Sequence, residues 1–176
     1  MIRSLPIKSV QDIAAIKSYF RNERTRDYLL FVLGINVPLK LHELLELKCE
    51  DLTYDINRYK FNVYGYEIYL NRDDSLILRN YVQHKSNEEY IFESLRANSP
   101  ITRQQFHRIL TNASSAVGYE FSIGPQALKK TFAYHAYLQG VHILDLMHLL
   151  GHQSKAETYH FIDVAPQEKK CLELKI

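Results

Sequence analysis

Among 22 lysines and arginines and eight histidines, types that could hold a phosphate or a metal ion, Lys129 and Lys130, Arg21, Arg24 and Arg26, and His148 and His152 stand close together in the chain. Lysine meets a phosphate as a point charge, whereas arginine offers a planar, two-pronged grip. Lys129 and Lys130 fall at the start of a helical pattern, where they either seat a phosphate or are solvated helix-start lysines. Arg21, Arg24 and Arg26 divide in the same way between backbone phosphates and a solvated helix end. His148 and His152 stand four apart and could chelate a metal if one helix ran through both. No third ligand is spaced to join them, and Gly151 reads as a helix end, so no metal site is expected. His135 and His142 read as packing or surface residues. The tyrosines between 54 and 69 could stack bases on a sheet, but alternating aromatics on strands more often form core and cross-strand pairs, and core is the expectation.

The elements that must position these groups follow from periodicity. Ser9 with Asp12 forms an N-cap signal for a helix over roughly 10–22. A second helix runs through Asp27 to Leu33, apolar nearly all round and therefore central, with Gly34 as its expected end. Pro38 opens a third, with Leu41, Leu44, Leu45 and Leu47 as its buried side. Over 51–71 the period changes to that of a small antiparallel sheet, with Gly65 offering a turn. Helices are expected again at about 73–84, 102–117, 126–139, 142–150 and 154–162, with Gly118, Gly140 and Gly151 at their ends. The fold class is mainly α with a small antiparallel β-sheet (α+β).

The 176 residues, 46% hydrophobic and 24% charged, suit one soluble domain with a substantial core. No apolar run reaches the ~18–20 residues of a membrane span, and Met1 to Pro6 lack the apolar core of a secretory signal. A cytoplasmic protein is expected, with Cys49 and Cys171 as free thiols. The net charge of +2 neither demands nor excludes a polyanion partner. Residues 1–60 hold ten basic and eight acidic side chains, while the last 56 hold six lysines and no arginine.

Two blocks and a C-terminal run carry a resemblance. The run is Leu146-Met-His-Leu-Leu-Gly-His-Gln-Ser154, then Glu157-Thr-Tyr-His-Phe-Ile-Asp163. The first block is Arg26-Asp-Tyr-Leu-Leu-Phe-Val-Leu-Gly-Ile-Asn with Leu39-Lys-Leu-His-Glu-Leu-Leu-Glu-Leu-Lys. The second is Gln126-Ala-Leu-Lys-Lys-Thr-Phe-Ala-Tyr-His. From about Leu5 to Asp163 the chain resembles the catalytic domain of the tyrosine recombinases (phage integrases). That likeness implies the family's fold over 1–165, without its N-terminal core-binding domain, and a C-terminal tail over 166–176. Family tails often dock onto a neighbouring subunit, so a homo-oligomer through the tail is an expectation. A tail folded back on its own domain is the alternative.

Position by position, the resemblance places the family's first arginine at Lys40 and its second at Lys129. Its hairpin lysine falls at Phe61 beside Lys60, and its first histidine at Gln126. Its last histidine is kept as His152, and its nucleophilic tyrosine falls at Phe161. In the family, tyrosine attacks a DNA phosphodiester, two arginines clamp the non-bridging oxygens, and lysine and histidines manage protons. A phenyl ring has no oxygen with which to attack. Gln126 hydrogen-bonds but does not transfer protons near neutral pH, and Phe61 does neither. Tyr159 is not expected to substitute, because two positions along a helix is about 200° of rotation.

The resemblance therefore implies a pseudo-recombinase that needs no cofactor. It would bind double-stranded DNA through Lys40, Lys60, Lys129, Lys130, His152, Arg21, Arg24 and Arg26. Its expected role is regulator, repressor or recombination accessory factor, of a phage or mobile element. One alternative is a protein–protein module that pairs with an active recombinase without touching DNA. Another is an active recombinase with a relocated nucleophile.

Overall fold

The computed structural model describes residues 3–96 and 98–166. The expectations for the tail fall outside the described residues, apart from its first. Helix α1 (Val10–Glu23) begins where Ser9 Oγ accepts from the Asp12 amide. Helix α2 (Thr25–Asn36) is the buried axis of the domain, packing against α1, α4 and α6 with every residue from Asp27 to Gly34 out of solvent. Gly34 does not end α2; the helix runs two residues past it. A Cβ there would lie 2.5 Å from Leu128 Cδ1, so the glycine is needed for the close approach of helix α6.

The chain then extends through Pro38, and the backbone amide of Lys40 donates to Glu43 as helix α3 (Leu41–Leu45) begins. A 3-10 turn over Cys49–Asp51 leads into an antiparallel sheet ordered β1-β2-β3: Thr53–Asp55, Arg58–Val63 and Tyr66–Tyr69. Both hairpins close on two residues with positive φ, Ile56-Asn57 and Tyr64-Gly65. Strand β2 alternates strictly, with Tyr59, Phe61 and Val63 in the core.

The expectation that the sheet tyrosines form core needs correction. Tyr59 is buried and Tyr66 half-buried, but Tyr54, Tyr64 and Tyr69 are exposed. A sheet with one face on the core turns alternate residues outward. Tyr69 is turned outward in this way, opposite Lys60, with Arg58 4.7 Å over its ring. Tyr54, on the edge strand β1, instead forms a cross-strand pair with Tyr59, ring centroids 5.0 Å apart, and carries Arg79 4.9 Å over its ring.

Helices α4 (Arg72–Val82), α5 (Arg103–Ala116), α6 (Pro125–Leu138), α7 (Ile143–Leu150) and α8 (Lys155–Phe161) complete the domain. Thr102 and Gln105 form a reciprocal capping box at the start of α5. Pro125 occupies the first position of α6, where no amide donor is lost. Gly151 ends α7 in the left-handed conformation, φ 69°, which turns the chain sharply toward α8. No helix among the described residues is long and apolar enough to cross a membrane.

Residues 3–8 form a strap across α6 and the end of α8. The Ile7 amide donates to Thr131 Oγ1 at 2.9 Å, and the Ile7 carbonyl meets His135 Nε2 at 2.9 Å. Lys8 donates to both the backbone and the side chain of Asp163, and Arg3 to the His160 carbonyl.

Candidate functional site

Several chain segments meet around one cavity of about 390 Å³. The end of α2 and the start of α3 contribute Gly34 and Lys40, and the first turn of α6 contributes Gln126 and Lys129. The turn after α7 contributes His152, and α8 contributes Phe161. Gln126 and Lys129 share a helix face because they are three residues apart. His152 arrives through the left-handed turn at Gly151.

Five of the six positions singled out in the sequence thus meet at one place. The sixth does not: Phe61 is 6% exposed and packs in the main core. Its neighbour Lys60 points to the opposite face of β2 and pairs with Glu67 at 3.1 Å. Lys130, one helical step of about 100° from Lys129, is turned away from the cavity. Its ammonium, buried, donates to the Ser4 carbonyl at 2.7 Å and sits 5.3 Å over the Phe161 ring. The strap residue Ser4 and the α8 residue Phe161 are therefore held by one buried cation.

Arg21, Arg24 and Arg26 also lie outside the cavity. Arg21 donates to the Tyr28 hydroxyl at 3.2 Å, and Arg26 pairs with Asp27 at 2.8 Å and donates to the Glu93 carbonyl. Arg24 opens onto a separate groove beyond the start of α2.

Arg103, the first residue of α5, lines the cavity and was missed in the sequence. Its local signal, the capping box just before it, identifies a helix start. Which cavity that start faces depends on tertiary packing.

The electrostatics are those of cations without enough counter-charge. Burial pushes the Lys129 ammonium below the ordinary lysine range. Glu43 opposes that shift, and the nearby Lys40 adds to it. Burial likewise pushes His152 down, against the pull of Glu157 and with the help of Lys129. His152 Nδ1 is 2.9 Å from Thr158 Oγ1, which orients the ring and leaves Nε2 for a ligand. The His152 and Phe161 rings meet edge-on with centroids 5.0 Å apart. None of the described residues lining the cavity carries a hydroxyl or a thiol. Tyr159 lies on the other side of α8, buried against Tyr137 and facing a different depression.

His148 and His152 gain no third partner: no cluster of three metal-capable side chains occurs among the described residues.

The whole arrangement matches a known family. The model for the phage integrase family aligns with residues 3–168. This chain belongs to the phage integrase family. The probable integrase/recombinase YoeC of Bacillus subtilis (strain 168) is 32% identical to it over 167 residues, covering 90% of this chain and 89% of YoeC. Among solved structures, XerA recombinase superposes with a TM-score of 0.74 at 18% identity, over 92% of this chain and 60% of XerA. XerH bound to its difH substrate, in a pre-cleavage complex, superposes with a TM-score of 0.72 at 16% identity. It too is matched over 92% of this chain, but over 52% of its own. At such identities the structural likeness shows the fold. The chain spans about half to three fifths of the length of those two crystallised recombinases.

Proposed function

We propose that this integrase-family domain binds the phosphate backbone of duplex DNA without cleaving it, and acts as a regulator or recombination accessory factor of a mobile element. The observation that carries the reading is the composition of the cavity: Lys40, Lys129 and His152 line it together with the phenyl ring of Phe161, and no described lining residue carries a nucleophilic oxygen or sulfur. Cations drawn together without anions are stabilised by an anionic ligand, and a phosphodiester suits a seat of two ammoniums, an imidazole and the adjacent Arg103. The Tn1549 transposon integrase, of the same fold, was solved in complex with transposon right end DNA.

The chemistry proposed to be missing is the first step. Transesterification needs an attacking oxygen in line with the phosphorus, and Phe161 offers a hydrocarbon edge there. Lys40 and Lys129 hold charge but lack the paired donors that follow a phosphate toward its transition state. Tyr159, on the far side of α8, does not reach the cavity without turning the helix.

Two measurements test this. In an electrophoretic shift assay with duplex fragments, binding weakens steeply with salt, and Lys129→Ala reduces the log–log salt slope by about 0.9, the value for one lost phosphate contact. A nicked suicide substrate leaves no covalent protein–DNA adduct with the native chain. An adduct would overturn the silent-site reading, and a shift absent at low salt would overturn the DNA-binding reading.

The latter result would favour a second reading, a module that pairs with an active recombinase. Its support is the arginine-free stretch from residue 121 onward, unusual for a surface built around a polyanion.

A further inference from the structure

A second basic depression lies at the opposite end of α2. That helix threads the core, with Gly34 at the DNA-seat cavity and Arg24, Thr25 and Arg26 at a groove of about 830 Å³ beyond its other end. Eight to ten residues at 1.5 Å per residue separate Gly34 from Arg24–Arg26 by about 12–15 Å along a helix buried from Asp27 to Gly34. A duplex resting on the cavity therefore lies across the core from this groove.

The groove sorts its charges. Arg26 is committed to Asp27 and the Glu93 carbonyl, and Lys85 to Glu93 at 3.4 Å. The guanidiniums of Arg24 and Arg96, both exposed residues, make no hydrogen bond or ion pair among the described residues. Two uncommitted guanidiniums thus overhang a floor that is already neutralised. Among Thr25, Ser94 and Asn98, two side chains offer apolar surface: Leu95 is 74% exposed, and Tyr81 is half-buried with Lys85 5.6 Å over its ring.

We infer that this groove docks an acidic segment of a protein partner, with carboxylates paired to Arg24 and Arg96 and one apolar side chain set against Leu95 and Tyr81. Arginine's fork matches carboxylate geometry in two parallel hydrogen bonds. Tyrosine beside arginine is a combination enriched among interface anchors, and Leu95 adds exposed apolar surface next to it. A nucleic-acid backbone fits less well. It has no isolated apolar side chain to cover Leu95, which is 74% exposed. The inference is independent of whether the cavity at the other end of α2 binds DNA.

The probe is a fluorescein-labelled octapeptide, Asp-Glu-Asp-Leu-Glu-Asp-Glu-Asp, titrated with the full chain in 50 mM salt and followed by anisotropy. Amide shifts are mapped by NMR in parallel. The expected result is binding that perturbs the amides of residues 24–26, 81–85 and 93–96. It weakens at least tenfold in Arg24→Ala/Arg96→Ala and several-fold when the peptide's leucine is replaced by glycine. Both arginines are exposed, so the double variant is expected to melt like the parent, and Arg24→Lys/Arg96→Lys, which keeps the charge, is expected to bind at an intermediate level. Three results would each overturn the proposal: no binding, shifts confined to the Lys40–Lys129 cavity, or a duplex oligonucleotide displacing the peptide from these amides.

Discussion

The Asp74 carboxylate and the ammoniums of Lys40 and Lys129 meet opposite treatment. Asp74, almost fully buried, accepts from the Tyr28 hydroxyl, from Asn71 Nδ2 at 2.6 Å and from Lys17 Nζ at 3.4 Å. Arg21 closes the group from outside through Tyr28. Every charge there has a partner within the chain, and the group ties α1, α2 and α4 together. In the cavity, Lys129 is desolvated near another lysine, and the pull of Glu43 does not offset the two. Internally balanced charge is architecture, whereas charge left out of balance points to something the chain binds.

Breaking the balanced group should have the largest effect. Asp74→Ala leaves the Tyr28 hydroxyl and Lys17 without their acceptor and is expected to cost about 3–5 kcal/mol, the usual range for removing one side of a buried pair. Chemical denaturation measures it; a cost under 1 kcal/mol would dissolve the contrast. The same group carries a pH signature. Burial and the Asp74 contact push the Tyr28 phenol up to about 12. A phenol raised on folding contributes stability that is intact below its unfolded value near 10 and disappears as pH climbs toward 12. Tyr28→Phe should flatten that alkaline limb.

Next in size is Gly34→Ala, where the new methyl group collides with Leu128. Overpacking of this kind costs about 1–3 kcal/mol. Pairing it with Leu128→Ala should recover part of the loss, which a double-mutant cycle would reveal. At the unbalanced site the expected signs differ. Lys129→Met removes a crowded cation and should leave the thermal midpoint unchanged or slightly raised while DNA affinity falls. A clear loss of stability would mean that Lys129 is structural after all.

The smallest effect belongs to His152. Its imidazole is held below the usual histidine range by burial, so the unfolded chain takes up the proton first. Stability is then full above about pH 6.5 and declines as pH falls below it. His152→Asn should remove that decline, seen as the difference between two pH–melting curves. A bound phosphate favours the imidazolium, so affinity for DNA should rise over the same acid range.

Much of this was legible in the residues themselves. Ser9 and Asp12 announce α1, and the arrangement of 146–163 places His152 and Phe161 on one side of the domain. Where the sequence misled, the cause lay in tertiary structure or in rotation. Gly34 reads as a helix end because glycine usually is one, yet the approach of Leu128 is what requires it. Lys129 and Lys130 look equivalent in a string, but a 100° step sends one to the cavity and the other under the strap. Arg103 carries no mark of its own, since its role depends on which cavity α5 happens to face.

The strap has a kinetic consequence. Lys8 and Asp163 are 155 residues apart in sequence, and Arg3 and His160 are 157 apart. Contacts of such separation close the largest loops the domain contains, and their entropy must be met before they return anything. On the ribosome, residues 3–8 stay hydrated and without their protein partners until α6 and α8 have emerged. Closure of this domain is thus a late event, and a chain halted before residue 160 would present an unsealed seam to chaperones and proteases.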